Sequence, residues 1–122
     1  MSTPQEELRE RTKRFAYRVI RLFRSLPRTP EAQVIGKQLL RSATAVAANY
    51  RATNRSRSQP DFVSKISVVL EEADESLFWL ECLRDNGMIR PELLAGLCTE
   101  AEELVCIFSA SRETARSHTK KH

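Results

Sequence analysis

The chain has 122 residues, with 3 glycines, 5 prolines and a formal net charge of +4. This length suits one domain with a single core and is too short for separate catalytic and binding domains. Scarce glycine and proline argue against a fold of many short strands and favour helices. No apolar run approaches the length needed to cross a bilayer, and the charged start lacks the apolar segment of a signal peptide, so we expect a cytoplasmic protein.

Charge is distributed unevenly along the chain. Residues 1–65 contain 14 Lys and Arg against 5 Asp and Glu, whereas residues 66–122 contain 6 against 11. The two halves should attract each other, and the surplus positive charge of the first half must face a negatively charged partner.

The first two helices are predicted from about Pro4 to Leu26 and from Pro30 onward. Apolar or small residues recur every three or four positions in each, which places them on one face of a helix. Thr29 is suited to cap the second helix. Small residues from 42 to 48 would let a neighbouring helix approach closely. The predicted stripes are Leu8, Thr12, Phe15, Val19, Leu22 and Leu26, then Ile35, Leu39, Ser42, Val46 and Asn49.

The third helix is predicted to begin at about Gln59 and the fourth at Pro91. Ser58 with Asp61 resembles a capping box, and Gly87 suits the left-handed residue that ends a helix. The fourth helix loses its apolar face after about Thr114. We therefore predict an all-α protein, an antiparallel up-down-up-down four-helix bundle spanning residues 1–117, with a flexible basic tail at 118–122.

Catalysis has little support in the sequence. A dinuclear metal site in a bundle needs inward-facing Glu and His, and the predicted helices contain no histidine. The pairs Glu72 with Glu75 and Glu100 with Glu103 could chelate Mg²⁺, as in the all-α nucleotide pyrophosphohydrolases of the MazG type. Arginines of the first two helices are simpler partners for these acids. No base is available for a Ser, Cys or Thr nucleophile, so we expect no enzymatic activity, cofactor or metal.

Cysteines and aromatic residues leave two further expectations. Cys82, Cys98 and Cys106 lie among apolar neighbours without a CxxC pair, and we expect buried, reduced thiols. Phe78 and Trp79 widen the apolar surface of the third helix beyond one stripe. They either close the end of the bundle or form a subunit interface, where Trp and Phe are enriched.

The arginines are the strongest functional signal. Four of them recur every three or four residues on the first helix, and we call Arg11, Arg14, Arg18 and Arg21 the arginine row. No acid occurs between Arg11 and Arg28. The arginine row either pairs with the Glu-rich part of another helix or subunit, or contacts phosphates. The candidate nucleic-acid contacts are Arg11, Arg14, Arg18, Arg21, Arg51, Arg55 and Arg57.

The segment QLLRSATAVAANYRATNRSRSQPDFVSKISVVLEEADES, residues 38–76, resembles the core of the four helix bundle proteins encoded by intervening sequences in 23S rRNA genes. The chain departs from the commoner Asn-Ile-Ala-Glu-Gly pattern at residues 49–53, which read Asn-Tyr-Arg-Ala-Thr. The matching residues are Gln38, Arg41, Asn49, Arg57, Ser58, Phe62, Leu70 and Glu75.

This resemblance implies a left-handed four-helix bundle, a ring-shaped homopentamer and no established enzymatic activity. The similar accessory variability determinant of diversity-generating retroelements is a basic pentameric barrel that binds nucleic acid and a reverse transcriptase. The resemblance also implies a structural polar network of Arg41, Asn49 and Glu75. The working hypothesis is a nucleic-acid-binding pentamer, and the alternative is a protein scaffold or accessory subunit that binds no nucleic acid and has an unidentified protein partner.

Overall fold

The computed structural model describes residues 1–120, and side chains through His118, as four helices without a strand. These are α1 (Pro4–Arg24), α2 (Pro30–Thr53), α3 (Gln59–Asp85) and α4 (Pro91–Lys120). Each helix packs against the next, and α1 also contacts α4, so the predicted four-helix bundle is confirmed. Within the described part of the chain, no helix has the length and apolar character needed to span a membrane.

Hydroxyl caps fix where the first three helices begin. The side chains of Thr3, Thr29 and Ser58 each accept the backbone N–H of the residue three positions on, at 3.1, 3.4 and 3.1 Å respectively. The carboxylate of Asp61 accepts the N–H of Arg57 at 3.0 Å rather than that of Ser58. The predicted caps at Thr29 and Ser58 are confirmed, but the reciprocal bond of the capping box reaches one residue further back.

The helix ends agree with the sequence at α3 and differ at α4. Gly87 adopts a φ of +63° just after α3, as its position predicts. The last helix continues to Lys120 instead of ending near Thr114. Ala115 explains the difference, since it is 3% exposed and continues the buried face seven residues after Phe108. The predicted tail therefore begins as helix, and residues 121 and 122 lie outside the described part.

The predicted stripes form one continuous core. Phe15, Leu39, Ile66 and Phe108 are among its largest fully buried side chains. The small residues of α2 allow close packing as expected, because Ser76 of α3 donates to the Oγ of the buried Ser42 at 2.9 Å. Three residues of the stripes predicted for α1 and α2 lie toward the ends of the bundle and are only partly buried, namely Leu8, Ile35 and Asn49.

Two glycines mark places where a side chain of α1, or of the turn that follows it, approaches a neighbouring helix. A Cβ at the buried Gly36 would collide with the Leu26 side chain, so this glycine lets the turn after α1 pack on α2. A Cβ at Gly96 of α4 would lie 2.9 Å from the guanidinium of Arg18. Because α1 and α4 approach each other least closely of the neighbouring pairs, long arginine side chains extend across this seam.

Candidate nucleic-acid interface

Arg11 spans the seam between α1 and α4. Its Nε and Nη2 donate to the two carboxylate oxygens of Glu100 at 2.8 and 2.7 Å, and Nη2 also donates to Glu103 at 2.8 Å. The arginine side chain is 28% exposed and that of Glu100 only 16%. The hydrogen bond to Glu100 contributes most to raising the pKa of Arg11 above its usual value. We call these three residues the Arg11 fork.

Arg41 makes the same arrangement between α2 and α3. Its Nη1 donates to Glu72 at 3.1 Å and its Nη2 to Glu75 at 2.6 Å, and we call these residues the Arg41 fork. The arginine is more exposed here, at 53% of its side chain. Its pKa is also raised, chiefly by the hydrogen bond to Glu75.

The two forks show which groups the paired glutamates bind. Each pair of glutamates three residues apart is bridged by one arginine of the first two helices, which confirms the simpler partner expected from the sequence. In the described chain, no group of three or more His, Cys, Asp or Glu side chains is arranged to hold a metal ion. A divalent cation at either pair would have to displace a bidentate or bridging guanidinium.

The polar network implied by the resemblance differs in one member. Arg41 and Glu75 are bonded as expected, with Glu72 as the third participant. Asn49 makes no hydrogen bond to either residue within the part of the chain that is described. It lies eight residues beyond Arg41 on α2, about 12 Å along the helix axis.

The structure divides the arginine row into two pairs. Arg11 and Arg18 are seven residues apart and turn toward α4, where one joins the Arg11 fork and the other packs against Gly96. Arg14 and Arg21 share the adjacent side, are exposed, and form no ion pair with the described residues. Within the arginine row, Arg11 is thus the member paired with acids of the described chain, Arg18 lies along the seam with α4, and Arg14 and Arg21 are exposed.

The basic segment after α2 is exposed throughout. Arg51, Arg55 and Arg57 all lie on the surface, and none of their guanidinium groups forms an ion pair with a residue of the described chain. Backbone N–H groups here are bonded, that of Arg55 to the Ala52 carbonyl at 3.1 Å and that of Arg57 to the Asp61 carboxylate at 3.0 Å. These three arginines occupy the end of the bundle where α2 gives way to α3.

A groove between α1 and α2 joins the predicted contact Arg51 to two cations that the sequence did not indicate, Arg9 and Lys13. Arg9, Lys13 and Arg51 line it, and the Lys13 Nζ lies 5.8 Å from the ring centroid of Tyr17. Residues 9, 13 and 17 are spaced four apart, which places them on one side of α1. This pattern could have indicated the groove, but it was overlooked beside the arginine row. The full lining is Arg9, Lys13, Ala16, Tyr17, Ile20, Thr44, Ala47, Ala48 and Arg51.

The cysteines and exposed apolar residues complete the surface. All three cysteines are free, but only Cys98 is buried as expected, whereas Cys82 is partly buried and Cys106 is exposed. Burial raises the pKa of the Cys82 and Cys98 thiols.

Trp79 packs against the core, whereas Phe78 is 54% exposed beside it, with ring centroids 4.9 Å apart. The other large apolar side chains exposed on the helices are Tyr17, Val34, Val68 and Leu93.

Comparison with known proteins places this geometry in a family. The fold matches the crystal structure of a protein of unknown function from the S23 ribosomal protein family of Bacteroides thetaiotaomicron VPI-5482, with a TM-score of 0.79 and 29% identity, over 85% of this chain and 96% of that one. No curated protein matches the chain. Residues 5–110 match the model of the 23S rRNA-intervening sequence proteins, and the chain belongs to this family.

Proposed function

We propose that the protein is a non-enzymatic nucleic-acid-binding protein that assembles into a ring of five copies and contacts backbone phosphates through exposed arginines. One observation carries the proposal: after both forks are satisfied, a set of exposed arginines has no acidic partner in the described chain. Of the contacts predicted from the sequence, this set includes Arg14, Arg21, Arg51, Arg55 and Arg57.

Phosphate is the partner that fits these side chains best. The planar guanidinium group matches a phosphate in a bidentate manner and stays charged at any physiological pH. Clustered cations without counter-charge gain affinity for nucleic acid by releasing the ions condensed on its backbone. Arg11 is removed from the predicted set because its guanidinium is already bonded to Glu100 and Glu103.

Two further observations support a cytoplasmic location and assembly from several copies. Three free cysteines suit the reducing cytoplasm. Exposed apolar side chains, with Phe78 at 54% and Val34 at 62%, offer area for contact between copies. The same surface favours a second candidate function, a protein scaffold or accessory subunit that binds no nucleic acid.

Fluorescence anisotropy with labelled RNA and DNA at a series of salt concentrations separates the two functions. We expect the parent protein to bind at physiological salt, with a log–log slope of roughly −0.9 per phosphate for duplex and −0.7 for single strands. Replacing Arg51, Arg55 and Arg57 by Gln should weaken binding to all sequences alike and flatten the slope, because phosphate contacts carry no base information.

A matched variant controls for net charge. Arg24, Arg28 and Arg90 are also exposed, but they lie at the opposite end of the bundle. Their replacement by Gln removes the same charge and should leave the slope nearly unchanged. The scaffold function is favoured if the parent binds neither RNA nor DNA, and a diffuse charge effect is indicated if both triple variants weaken binding equally.

A further inference from the structure

We propose that the groove between α1 and α2 receives an unstacked base of a single-stranded nucleic acid, with Tyr17 as the stacking surface and Lys13 and Arg51 on the flanking phosphates. This inference rests on the proposed function and specifies the form of nucleic acid that it binds. It assigns a role to an exposed aromatic residue that neither the core nor the forks use.

The groove has the size and lining of a site for one base. Its volume is about 240 Å³, below the roughly 300–1,000 Å³ of pockets that enclose a drug-sized ligand. Ala16, Ala47 and Ala48 form a floor of short apolar side chains, and Ile20 extends it. A flat, apolar base face can therefore approach the helices closely while its sugar and phosphate stay outside.

Tyr17 supplies the aromatic surface at the groove. It is 49% exposed, so a large part of its side chain is available for stacking. The Lys13 Nζ lies over the ring, 5.8 Å from its centroid, in a cation–π arrangement. A base that stacks on this face takes the place of the ammonium group, which is then free to contact a flanking phosphate. Aromatic rings next to cations are the arrangement by which proteins bind single strands without reading their sequence.

Charge around the groove favours a polyanion. Arg9, Lys13 and Arg51 line it, and no acid does. Three acids, Glu6, Glu7 and Glu10, border a separate depression that shares Arg9 with the groove. Lys13 and Arg51 line the groove and not this acidic depression. Arg51 is followed within six residues by Arg55 and Arg57, so a strand leaving the groove continues onto the basic end of the bundle.

A duplex does not satisfy this site. Its bases are stacked and paired, so they present edges rather than faces, whereas unpaired bases can turn outward onto aromatic side chains. The structure therefore assigns the groove to single strands, while the exposed arginines can contact the phosphates of either form.

The test compares labelled single strands, oligouridine and oligodeoxythymidine, with a labelled duplex. Tyr17→Leu keeps the helix and the apolar area but removes the ring, and it should weaken single-strand binding between about fivefold and 150-fold. Duplex affinity and the salt slope should not change, because no phosphate contact is lost. Tyr17→Phe, which retains the ring, should bind within about twofold of the parent.

Photocrosslinking gives an independent readout. A 5-iodouridine strand bound to the parent protein should crosslink within the groove, and peptide mapping should locate the adduct at Tyr17. Equal effects of Tyr17→Leu on single strands and duplex, or an adduct mapped elsewhere, would overturn the inference while leaving the proposed function intact. A parent protein that binds no nucleic acid would contradict both.

Discussion

At the scale of single residues, the two forks show how burial changes the contribution that the same arrangement of ion pairs makes to stability. Arg11 and Arg41 each bridge two glutamates three residues apart, but the Arg11 side chain is 28% exposed and the Arg41 side chain 53%. Exposed ion pairs contribute little because water screens them, whereas a partly buried carboxylate that loses its partner stays poorly solvated. Glu100, at 16% side-chain exposure, is in the second situation.

Arg11→Gln should lower the free energy of unfolding by about 1–2 kcal/mol, because it leaves Glu100 with a weaker, neutral donor. The smaller loss is expected for Arg41→Gln, since that arginine is more exposed. Urea unfolding midpoints measure both. Arg14→Gln is the control, because this exposed arginine one turn away has no ion pair within the described chain and should change the midpoint little. Equal losses for Arg11→Gln and Arg14→Gln would contradict the stabilising role of the Arg11 fork.

The sequence predicts the arginine row, but it does not predict that two of these arginines turn toward α4 while the other two stay exposed. The three-four-three spacing correctly indicates one side of α1, yet Arg11 and Arg18 reach α4 while Arg14 and Arg21 do not. That difference depends on how α1 is rotated against α4, which periodicity within one helix does not determine. Tyr17 and Lys13 were missed for the same reason, since the groove exists only where α1 meets α2.

At the scale of helices, local signals predicted where each element starts more accurately than where it ends. Capping residues and prolines act within one turn, so the starts at Pro30, Gln59 and Pro91 are confirmed. The end of α4 depends on contacts with other helices, including the hydrogen bond from the Gln59 side chain to the Ala115 carbonyl at 3.5 Å. Such a bond, between residues 56 positions apart, is invisible to a local pattern.

The start of α3 should make stability depend on acid pH. Asp61 accepts the N–H of Arg57 at 3.0 Å and pairs with Lys65 at 3.1 Å, and these contacts, the Arg57 bond first, hold its pKa below the usual value. A lowered folded-state pKa means that the carboxylate stabilises the fold fully above the unfolded pKa of about 3.9. This contribution is lost as pH falls through the lowered folded-state pKa.

Asp61→Asn should therefore destabilise the protein at neutral pH, and the difference from the parent should shrink as pH falls below about 4. Thermal unfolding followed by circular dichroism between neutral pH and pH 2 measures this. Asp74→Asn is the control, because Asp74 is exposed on the same helix and forms no ion pair within the described residues. A constant difference between parent and Asp61→Asn across the pH range would show that the charge of Asp61 does not support the start of α3.

At the scale of the whole molecule, one end of the bundle carries the basic segment after α2, and the other, which we call the apolar end, combines exposed apolar side chains with Arg24, Arg28 and Arg90. The exposed arginines after α2 lie at the first end. At the other end, three exposed apolar side chains come from three helices: Val34 near the start of α2, Phe78 near the end of α3 and Leu93 at the start of α4. The unequal charge of the two halves is partly resolved by the forks, which join the first two helices to the last two. The net charges of the two halves predict that attraction, but they do not predict which arginines remain without an acidic partner.

Assembly through the apolar end is the last prediction. Light scattering should give a mass near five chains at micromolar concentration, as the ring proposal requires. Phe78 is 54% exposed, so covering the rest of its side chain contributes about 1 kcal/mol per contact between copies. Phe78→Gln should therefore weaken each association step roughly fivefold and shift the mass toward smaller species on dilution. Tyr17→Gln, which removes an aromatic side chain of similar exposure from the groove between α1 and α2, should leave the mass unchanged. A mass of two or four chains would retain the apolar interface and contradict the ring of five, whereas a monomer in the parent protein would contradict self-assembly itself.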